Sequence, residues 1–222
     1  MPEQVAPAGR QLESRARGAR PIVVKLGGSV VRSAALVPWL DAIASAACPV
    51  VVVPGGGALA DEVRSCQARL GFGDHAAHRM ALLAMDQLAW AIAGLRPGFS
   101  VGAREEELWA ALDGADVAVW APYGLLAGRT DIEQSWRLTS DSLALWLAGR
   151  LGADACYLIK SIARQGSSAV AAELSRRGIV DAAFPEMLER TGLPAFLLGR
   201  GDREAFAAFL ADPAGRCGAA IA

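Results

Sequence analysis

The stretch Ile22-Val23-Val24-Lys25-Leu26-Gly27-Gly28-Ser29 joins a short apolar run to a lysine, two glycines and a hydroxyl group. A continuous run of this kind is typical of a strand buried in a parallel sheet. Gly27 and Gly28 allow a sharp turn that brings backbone N–H groups close to an anion, and Lys25 adds a positive charge near the end of the strand. The spacing differs from that of a Walker loop. The stretch therefore predicts a phosphate-binding turn.

Lysine is rare in this chain, which has 22 Lys and Arg residues but only two lysines, Lys25 and Lys160. Both follow apolar runs, at 22–24 and 157–159, that we interpret as strands. A compact, rotatable ammonium group differs from a planar guanidinium group and suits a phosphoryl group in transfer. Compositional bias toward arginine is the alternative explanation. We expect the two lysines to serve one site.

A second glycine-rich turn, Pro54-Gly55-Gly56-Gly57, follows the apolar run at 50–53. We predict a helix from Ala58 to about Leu70 directly after it, whose N-terminal N–H groups and positive dipole end would face an anion. One such turn is a weak indication of a phosphate site. Two of them, at the ends of consecutive strands, favour a phosphate-handling crevice.

Apolar runs alternate with helical patterns along the rest of the chain. We predict further strands at 117–120, 155–159 and 195–198, and a short edge strand at 218–222. We predict further helices at 34–47, 75–95, 105–112, 143–151, 169–177 and 184–190, and a last one that ends near 210. Asp74 and Asp202 are the expected N-caps of two of these helices. The alternation indicates an α/β fold with a mainly parallel sheet and helices on both faces.

The composition of the 222 residues, 53% of them hydrophobic, indicates a well-cored globular protein. A net charge of -1 and a pI near 6.1 argue against nucleic acid as a partner. No apolar run reaches the roughly 18 residues of a membrane helix, so we expect no membrane partner. Four scattered cysteines without a C-x-x-C pair argue against a zinc site or a disulfide framework. Residues 1–20 carry arginines but no apolar stretch, which predicts a flexible tail and a cytoplasmic protein.

Two regions contain candidate side chains for binding an acceptor substrate. His75, His78 and Arg79 share one face at the start of a predicted helix, where they would reach an anion. A solvated first turn explains them equally well, and two histidines without a carboxylate cluster do not make a metal site. Trp136 ends a long polar segment, 125–137, and would either form a wall of an acceptor pocket or pin this segment to the core.

Polar residues also open the apolar helix that follows, in the order Thr139-Ser140-Asp141-Ser142. The simplest explanation is that Ser140 or Asp141 is an N-cap. The same groups at a helix start would also suit an anion or an ammonium group. In that case Asp141 would hold both lysines by charge.

Four motifs together make the chain resemble the amino acid kinase superfamily of aspartokinase, glutamate 5-kinase and uridylate kinase. The motifs are Lys25-Leu26-Gly27-Gly28-Ser29, Pro54-Gly55-Gly56-Gly57, Thr139-Ser140-Asp141-Ser142-Leu143-Ala144 and Leu158-Ile159-Lys160-Ser161. The resemblance implies a three-layer α/β/α sandwich over residues 21–222. It also implies that the N-terminal half binds the acceptor, that the C-terminal half binds ATP, and that the protein is a homo-oligomer.

The resemblance further implies a role for each motif. Lys25 and Lys160 would stabilise the transferring phosphoryl group, and Asp141 would orient the two lysines. Phosphate or nucleotide would be bound by Gly27, Gly28, Ser29 and Ser161. The acceptor would be bound by Gly55, Gly56, Gly57, His78, Arg79, Trp136, Thr139 and Ser140. Mg²⁺ would be carried by ATP, without a protein metal site.

The segments 77–81 and 135–144 look most like the small kinases of methanofuran biosynthesis, which phosphorylate (5-(aminomethyl)furan-3-yl)methyl phosphate to its diphosphate. A phosphate monoester is a ready nucleophile near neutral pH, so such a reaction needs no general base. The alternatives are UMP or a carboxylate as acceptor, or a non-catalytic subunit that binds a nucleotide or an oxyanion. One departure is that Ile162-Ala163-Arg164 stands where family members often have Val-Asp-Gly, which predicts altered ATP binding or lost activity.

Overall fold

A mainly parallel sheet of eight strands lies at the centre of the computed structural model, which describes residues 19–114, 117–164, 166–213 and 215–222. In chain order the strands are β1 (Ile22–Leu26), β2 (Val50–Pro54), β3 (Phe99–Gly102), β4 (Val117–Trp120), β5 (Ala155–Ile159), β6 (Ser168–Ala169), β7 (Ala195–Leu198) and β8 (Ala219–Ile221). Their order in the sheet is β3-β4-β2-β1-β5-β7-β8-β6. Within the described ranges, β7 and β8 form the one antiparallel pair. The predicted tail, 1–20, lies outside the described residues except for its last two.

Helices connect these strands and cover both faces of the sheet. In the described residues they are α1 (Gly28–Val31), α2 (Leu36–Ala44), α3 (Gly57–Leu70), α4 (Asp74–Leu95), α5 (Glu105–Asp113), α6 (Tyr123–Leu126), α7 (Ser140–Leu151), α8 (Ala171–Arg176), α9 (Phe184–Thr191) and α10 (Arg203–Ala211). None of them is long and apolar enough to cross a lipid bilayer.

Alternate residues of β1 point to opposite faces of the sheet, and each face has its own apolar core. Val23 belongs to the core that includes Leu147 of α7. Val24 belongs to the other core, which includes Leu40 of α2 and Phe206 of α10. The predicted three-layer α/β/α sandwich with a mainly parallel sheet is therefore confirmed.

Helix α7 is the most deeply buried helix near the centre of the sheet. It packs on β1 and β5 with one side and on α9 with the other, and every residue from Ser140 to Ala148 is buried. Burying a large aliphatic side chain such as Leu145 or Leu147 contributes about 1.5–3 kcal/mol. This packing holds the N-terminus of α7 rigidly at the carboxyl ends of β1 and β5.

The sheet differs from the sequence prediction at its two ends. The chain forms a strand at Phe99–Gly102 that we did not predict, because Arg96-Pro97-Gly98 marks a turn and the strand is short and ends in glycine. The segment predicted as an edge strand, 218–222, forms β8 but lies inside the sheet. It is covered by the two-residue strand β6, whose second residue, Ala169, lies at the start of the helix that we predicted at 169–177.

Two helix starts also differ from prediction. Gly73, and not Asp74, is the N-cap of α4, and the Asp74 carboxylate accepts a hydrogen bond from the Gln67 amide at 2.7 Å. Asp202 is at the N-cap of α10 as predicted, but its carboxylate binds Arg164 and the backbone of Gly199 instead of the first turn of the helix. In both cases a contact with another segment replaces the local cap.

The central position of β1 determines where a ligand-binding crevice forms. β2 pairs with β1 on one side and β5 pairs with it on the other, so Leu26 is level with both Pro54 and Ile159. The chain leaves these three strands at the same edge of the sheet, at a topological switch point where open α/β sheets bind ligands. Both glycine-rich turns and both lysines therefore meet at one place.

Candidate active site

Asp141 lies between the two lysines of the chain. Its Oδ1 is 2.7 Å from the Nζ of Lys25, and the Nζ of Lys160 is 2.8 Å from Oδ1 and 2.7 Å from Oδ2. Lys25 and Asp141 are 3% and 5% exposed. Residues that are 116 positions apart in sequence thus form one buried cluster with a net charge of about +1, because two ammonium groups share one carboxylate.

This cluster shifts the pKa values of Asp141 and Lys160. Burial raises the pKa of the Asp141 carboxyl, but Lys160 and Lys25 outweigh burial and lower it to about 2. Burial lowers the pKa of Lys160 to about 8; Lys25 adds to this shift, and Asp141 opposes it. Asp141 is therefore ionised at any physiological pH, whereas Lys160 has lost about half of its protons at pH 8.

Asp181 holds the start of α7 from a distant part of the chain. Its Oδ2 accepts hydrogen bonds from the backbone and hydroxyl of Thr139, both at 2.9 Å, and from the backbone N–H of Ser142 at 3.0 Å. Its Oδ1 accepts a hydrogen bond from the Ser142 hydroxyl. Burial and the nearby Asp141 raise the pKa of Asp181. Asp181 therefore caps α7, and neither Ser140 nor Asp141 does, which leaves Asp141 free to bind the lysines.

The two glycine-rich turns pack against each other through their backbones. The N–H of Gly55 donates to the carbonyl of Leu26 at 2.8 Å, and the N–H of Gly27 donates to the carbonyl of Ile159 at 2.9 Å. A Cβ on Gly55 would lie 2.8 Å from the backbone nitrogen of Gly28, closer than real Cβ contacts. These glycines are therefore required for the close approach of three strand ends, in addition to any role toward a ligand.

A cavity of about 230 Å³ opens between these turns, α3, α4 and the start of α7. We call it the acceptor cavity. Ten of the predicted site residues line it: Lys25, Gly28, Ser29, Gly55, Gly56, Gly57, His78, Trp136, Thr139 and Ser140. Leu82, Met85 and Leu143 form its apolar floor. The roles assigned to these residues remain predictions, but the structure places them around one space.

Four charged residues that we did not predict as site residues also line the acceptor cavity: Arg32, Asp61, Arg64 and Asp74. Arg32 donates to Asp61 at 2.9 Å, and Arg64 is 3.4 Å from the other oxygen of the same carboxylate. The residues Gly57, Asp61 and Arg64 are spaced one helical turn apart on α3, which would have placed them on one face with the glycine turn. This helical spacing was the sequence pattern from which Asp61 and Arg64 could have been predicted to lie near the glycine-rich turn.

Trp136 both lines the acceptor cavity and is pinned to α3. Its indole N–H donates to the Gln67 side chain at 2.6 Å, and the guanidinium of Arg64 lies 4.1 Å from its ring centroid. The Gln67 amide in turn donates to Asp74. The sequence left open whether Trp136 forms a wall or an anchor, and in the structure it does both.

The three residues at the start of α4 lie in different surroundings. His78 lines the acceptor cavity, is 7% exposed, and has an Nε2 without a hydrogen-bond partner; burial lowers its pKa, so the ring is neutral near pH 7. Arg79 does not line the cavity, because it donates to the Tyr123 hydroxyl at 2.5 Å and to the Ala127 carbonyl. His75 hydrogen-bonds Gln134. The structure thus does not bring Arg79 to the predicted acceptor site.

A second cavity, of about 150 Å³, lies on the other side of the lysine cluster. We call it the basic cavity, because its polar lining residues are Lys160, Ser161, Arg200 and Arg203. Its apolar lining residues are Val30, Ala35, Pro38 and Trp39. Gly27 lies beside it: a Cβ there would be 2.9 Å from the Ile159 carbonyl and 3.5 Å from the Lys160 side chain.

The departure at Ile162-Ala163-Arg164 forms a well-anchored loop. Arg164 makes a two-pronged ion pair with Asp202, each contact 2.7 Å long, and the carbonyl of Ile162 accepts from the backbone of Arg200 at 2.9 Å. A Cβ on Gly199 would lie 2.6 Å from that carbonyl. This loop also lines a third cavity of about 340 Å³ together with Val170, Leu174 and Leu197.

Comparisons with known proteins identify a family and related structures. The model of the amino acid kinase family matches residues 20–164. A [5-(aminomethyl)furan-3-yl]methyl phosphate kinase from Methanocaldococcus jannaschii is 30% identical over 131 residues. That alignment covers 56% of this chain and 58% of the relative, which is less than two thirds of its length.

Solved structures share the fold at lower sequence identity. The uridylate kinase of Archaeoglobus fulgidus is 18% identical, with a TM-score of 0.68 over 91% of this chain and 100% of that one. The UMP kinase of Ureaplasma parvum is 13% identical, with a TM-score of 0.66 over 93% and 97%. The aspartate kinase of Synechocystis is 17% identical, with a TM-score of 0.58 over 81% of this chain but 37% of that one.

Proposed function

The chain belongs to the amino acid kinase family, and we propose that it is an ATP-dependent kinase that transfers the γ-phosphoryl group to a small phosphate-monoester acceptor. The observation that carries this proposal is the cluster of Lys25, Asp141 and Lys160 between two cavities. Two ammonium groups, held in place by one carboxylate, are suited to stabilise negative charge that passes from one cavity to the other.

The proposed chemistry requires positioning and charge neutralisation, and no general base. A phosphate monoester already carries a nucleophilic oxygen at neutral pH, so no proton has to be removed from it. Lys25 lines the acceptor cavity and would contact the incoming acceptor phosphate, while Lys160 lines the basic cavity and would contact the nucleotide phosphates. Asp141 fixes both ammonium groups by ion pairs, and its low pKa keeps it ionised. The rigid α7 maintains this geometry.

We place the nucleotide on the C-terminal side. The basic cavity contributes Lys160, Ser161, Arg200 and Arg203 toward a triphosphate, and the third cavity beside Ile162–Arg164 has room and apolar surface for a base. Mg²⁺ carried on the nucleotide would neutralise charge on the phosphoryl oxygens. We assign it no protein ligand in this crevice, because the Asp141 oxygens are occupied by ammonium groups.

For the acceptor we propose (5-(aminomethyl)furan-3-yl)methyl phosphate, which would become its diphosphate in methanofuran biosynthesis. The support is the activity of the Methanocaldococcus jannaschii relative, together with a cavity that offers an aromatic wall, Trp136, and charges of both signs.

The test is an ADP-release assay with the full chain, ATP and Mg²⁺, in which the acceptor is varied. We expect stimulation by (5-(aminomethyl)furan-3-yl)methyl phosphate, and mass spectrometry should detect the diphosphate product. Stimulation by UMP alone would make the protein a uridylate kinase, and stimulation by glutamate alone would rule out a phosphate acceptor. If no acceptor stimulates ADP release although calorimetry shows ATP binding, the non-catalytic alternative is supported.

We also propose that the protein acts in the cytoplasm as a homo-oligomer. Met80, Leu83 and Trp90 are exposed on one face of α4, with Trp90 69% exposed. An apolar face on a helix of 22 residues is typical of a protein interface, and a second copy of the chain presents the same face. Sedimentation analysis should show an assembly larger than the 23.1 kDa chain, and Trp90→Glu should shift it toward the monomer. A wild-type monomer at micromolar concentration would contradict this proposal.

A further inference from the structure

The charged side chains around the acceptor cavity are of both signs. Arg32 and Arg64 are positive, Asp61 and Asp74 are negative, and Lys25 is paired with Asp141 behind the cavity. An acceptor that is only an anion would meet as many carboxylates as guanidinium groups, and close like charges repel each other. The lining is therefore suited to an acceptor that carries a positive charge as well as a phosphate.

The two aspartates of the acceptor cavity differ in what they contact. Asp61 binds two cations of the protein, Arg32 at 2.9 Å and Arg64 at 3.4 Å. Asp74 forms no ion pair within the described part of the chain, and its Oδ1 accepts a hydrogen bond from the neutral amide of Gln67. The negative charge of Asp74 is thus the one in this cavity that no neighbouring protein cation balances.

The opposite charges are also separated along α3. Arg32 contacts Asp61 of this helix, and Asp74 contacts Gln67. Residues 61 and 67 are six positions apart, and a rise of 1.5 Å per residue separates them by about 9 Å along the helix axis. Gly57, at the start of α3, lies next to the phosphoryl-transfer end. Arg32 is therefore nearer the phosphoryl-transfer end, and the Asp74 carboxylate is further from it.

This separation distinguishes between the candidate acceptors. (5-(Aminomethyl)furan-3-yl)methyl phosphate carries its phosphate and its ammonium on arms at different positions of a ring. In glutamate the ammonium lies apart from the γ-carboxylate that would accept the phosphoryl group, but it shares its carbon atom with an α-carboxylate, which the Asp74 carboxylate would repel. UMP has no ammonium group. The lining of the cavity is therefore best suited to the first of these.

We propose that Asp74 binds the ammonium group of the acceptor and so selects acceptors that carry an amine across a ring from the phosphate. This inference rests on the proposed function, which places the phosphate end at Lys25. His78, four residues further along α4, lines the same cavity. Trp136 is held next to Asp74 through Gln67 and gives the ring a flat surface to pack on.

The experiment compares two ligands that differ only in the amine: (5-(aminomethyl)furan-3-yl)methyl phosphate and its 5-hydroxymethyl analogue. Calorimetry with the full chain should show that the wild type binds the amine at least about tenfold more tightly, as expected for a charge-assisted contact. Asp74→Asn keeps the shape and the bond from Gln67, and should reduce this ratio to about one. Asp61→Asn, the matched control, should retain most of the ratio because Asp61 binds arginines.

Two results would overturn the inference: equal binding of both ligands by the wild type, or an undiminished ratio in Asp74→Asn. The proposed function is judged separately, by ADP release with the amine ligand. Absence of turnover would remove the proposed function, while the binding ratios would still decide the role of Asp74.

Discussion

The acceptor cavity and the basic cavity lie on opposite sides of Asp141 and differ in how their charges are balanced. The acceptor cavity is lined by Lys25, two arginines and two aspartates. The basic cavity has Lys160, Arg200 and Arg203, and no aspartate or glutamate among the described residues that line it. A lining of one sign is suited to a polyanion such as a triphosphate, and a mixed lining is suited to a ligand that carries both charges. This difference supports the proposed placement of the nucleotide in the basic cavity and of the acceptor in the other.

The largest expected effect comes from the cluster that the two cavities share. Lys25→Ala and Lys160→Ala should each lower kcat by about 10²–10³, because each removes a charge that stabilises the transition state. The two variants should differ in the substrate that they bind less tightly: Lys25→Ala should weaken acceptor binding, and Lys160→Ala should weaken ATP binding. Steady-state kinetics and calorimetry measure both.

Lys25→Arg is a control that keeps the positive charge and changes the shape of the group that carries it. It should also be strongly impaired, because a planar guanidinium cannot replace the ammonium between Asp141 and a phosphoryl group. Thermal unfolding should show that the variants remain folded. Activity of Lys25→Ala within tenfold of the wild type would contradict the proposed role.

A second prediction concerns pH. Because burial lowers the pKa of Lys160 to about 8, this group is protonated below that pH and neutral above it. The value of kcat/KM should therefore be constant from about pH 6.5 to 7.5 and should fall toward a tenfold loss per pH unit well above 8. Asp141, with its pKa lowered to about 2, contributes no change in this range. A profile that stays flat to pH 9.5 would show that the charge of Lys160 is not required.

A third prediction tests the separation of the two cavities directly. Arg203→Gln should raise the KM for ATP by about tenfold and leave the KM for the acceptor unchanged, since Arg203 lines the basic cavity. Arg32→Gln, in the acceptor cavity, should do the reverse. If both variants raise the same KM, the assignment of the cavities to two substrates is wrong.

The smallest expected effect is on Asp181, which supports both cavities through α7. Asp181→Ala removes the acceptor of four hydrogen bonds and should lower the free energy of unfolding by about 2 kcal/mol, with small and similar increases in both KM values. Ser142→Ala removes one of these donors and should cost about 1 kcal/mol. Urea denaturation measures the difference. An effect of Asp181→Ala on a single KM would show a more direct role.

The parts that were predictable from sequence are those in which neighbouring residues define one local structure. The run Ile22–Val24 and its two glycines are a strand and a turn in any α/β fold, and the rarity of lysine singled out Lys160 as a second candidate residue, which the structure places beside Lys25 at Asp141. The acceptor residues were harder to predict. Arg79 shares a helix face with His78 in the pattern, but Tyr123, from a different element, draws its side chain away from the cavity.

Sequence alone determined the mainly parallel sheet, the positions of the lysines and glycine turns at strand ends, and most of the strands and helices, but not β3, β6 or the place of β8 inside the sheet. These depend on local periodicity and on the backbone freedom of glycine, which act within a few residues. Tertiary structure decided that Asp181 caps α7 from 39 residues away, that Asp141 is thereby free to hold Lys25 and Lys160, and that Asp74 keeps an unbalanced charge. Each of these depends on a carboxylate meeting a partner from another segment, and such a partner is determined by the folded chain and not by the neighbouring sequence.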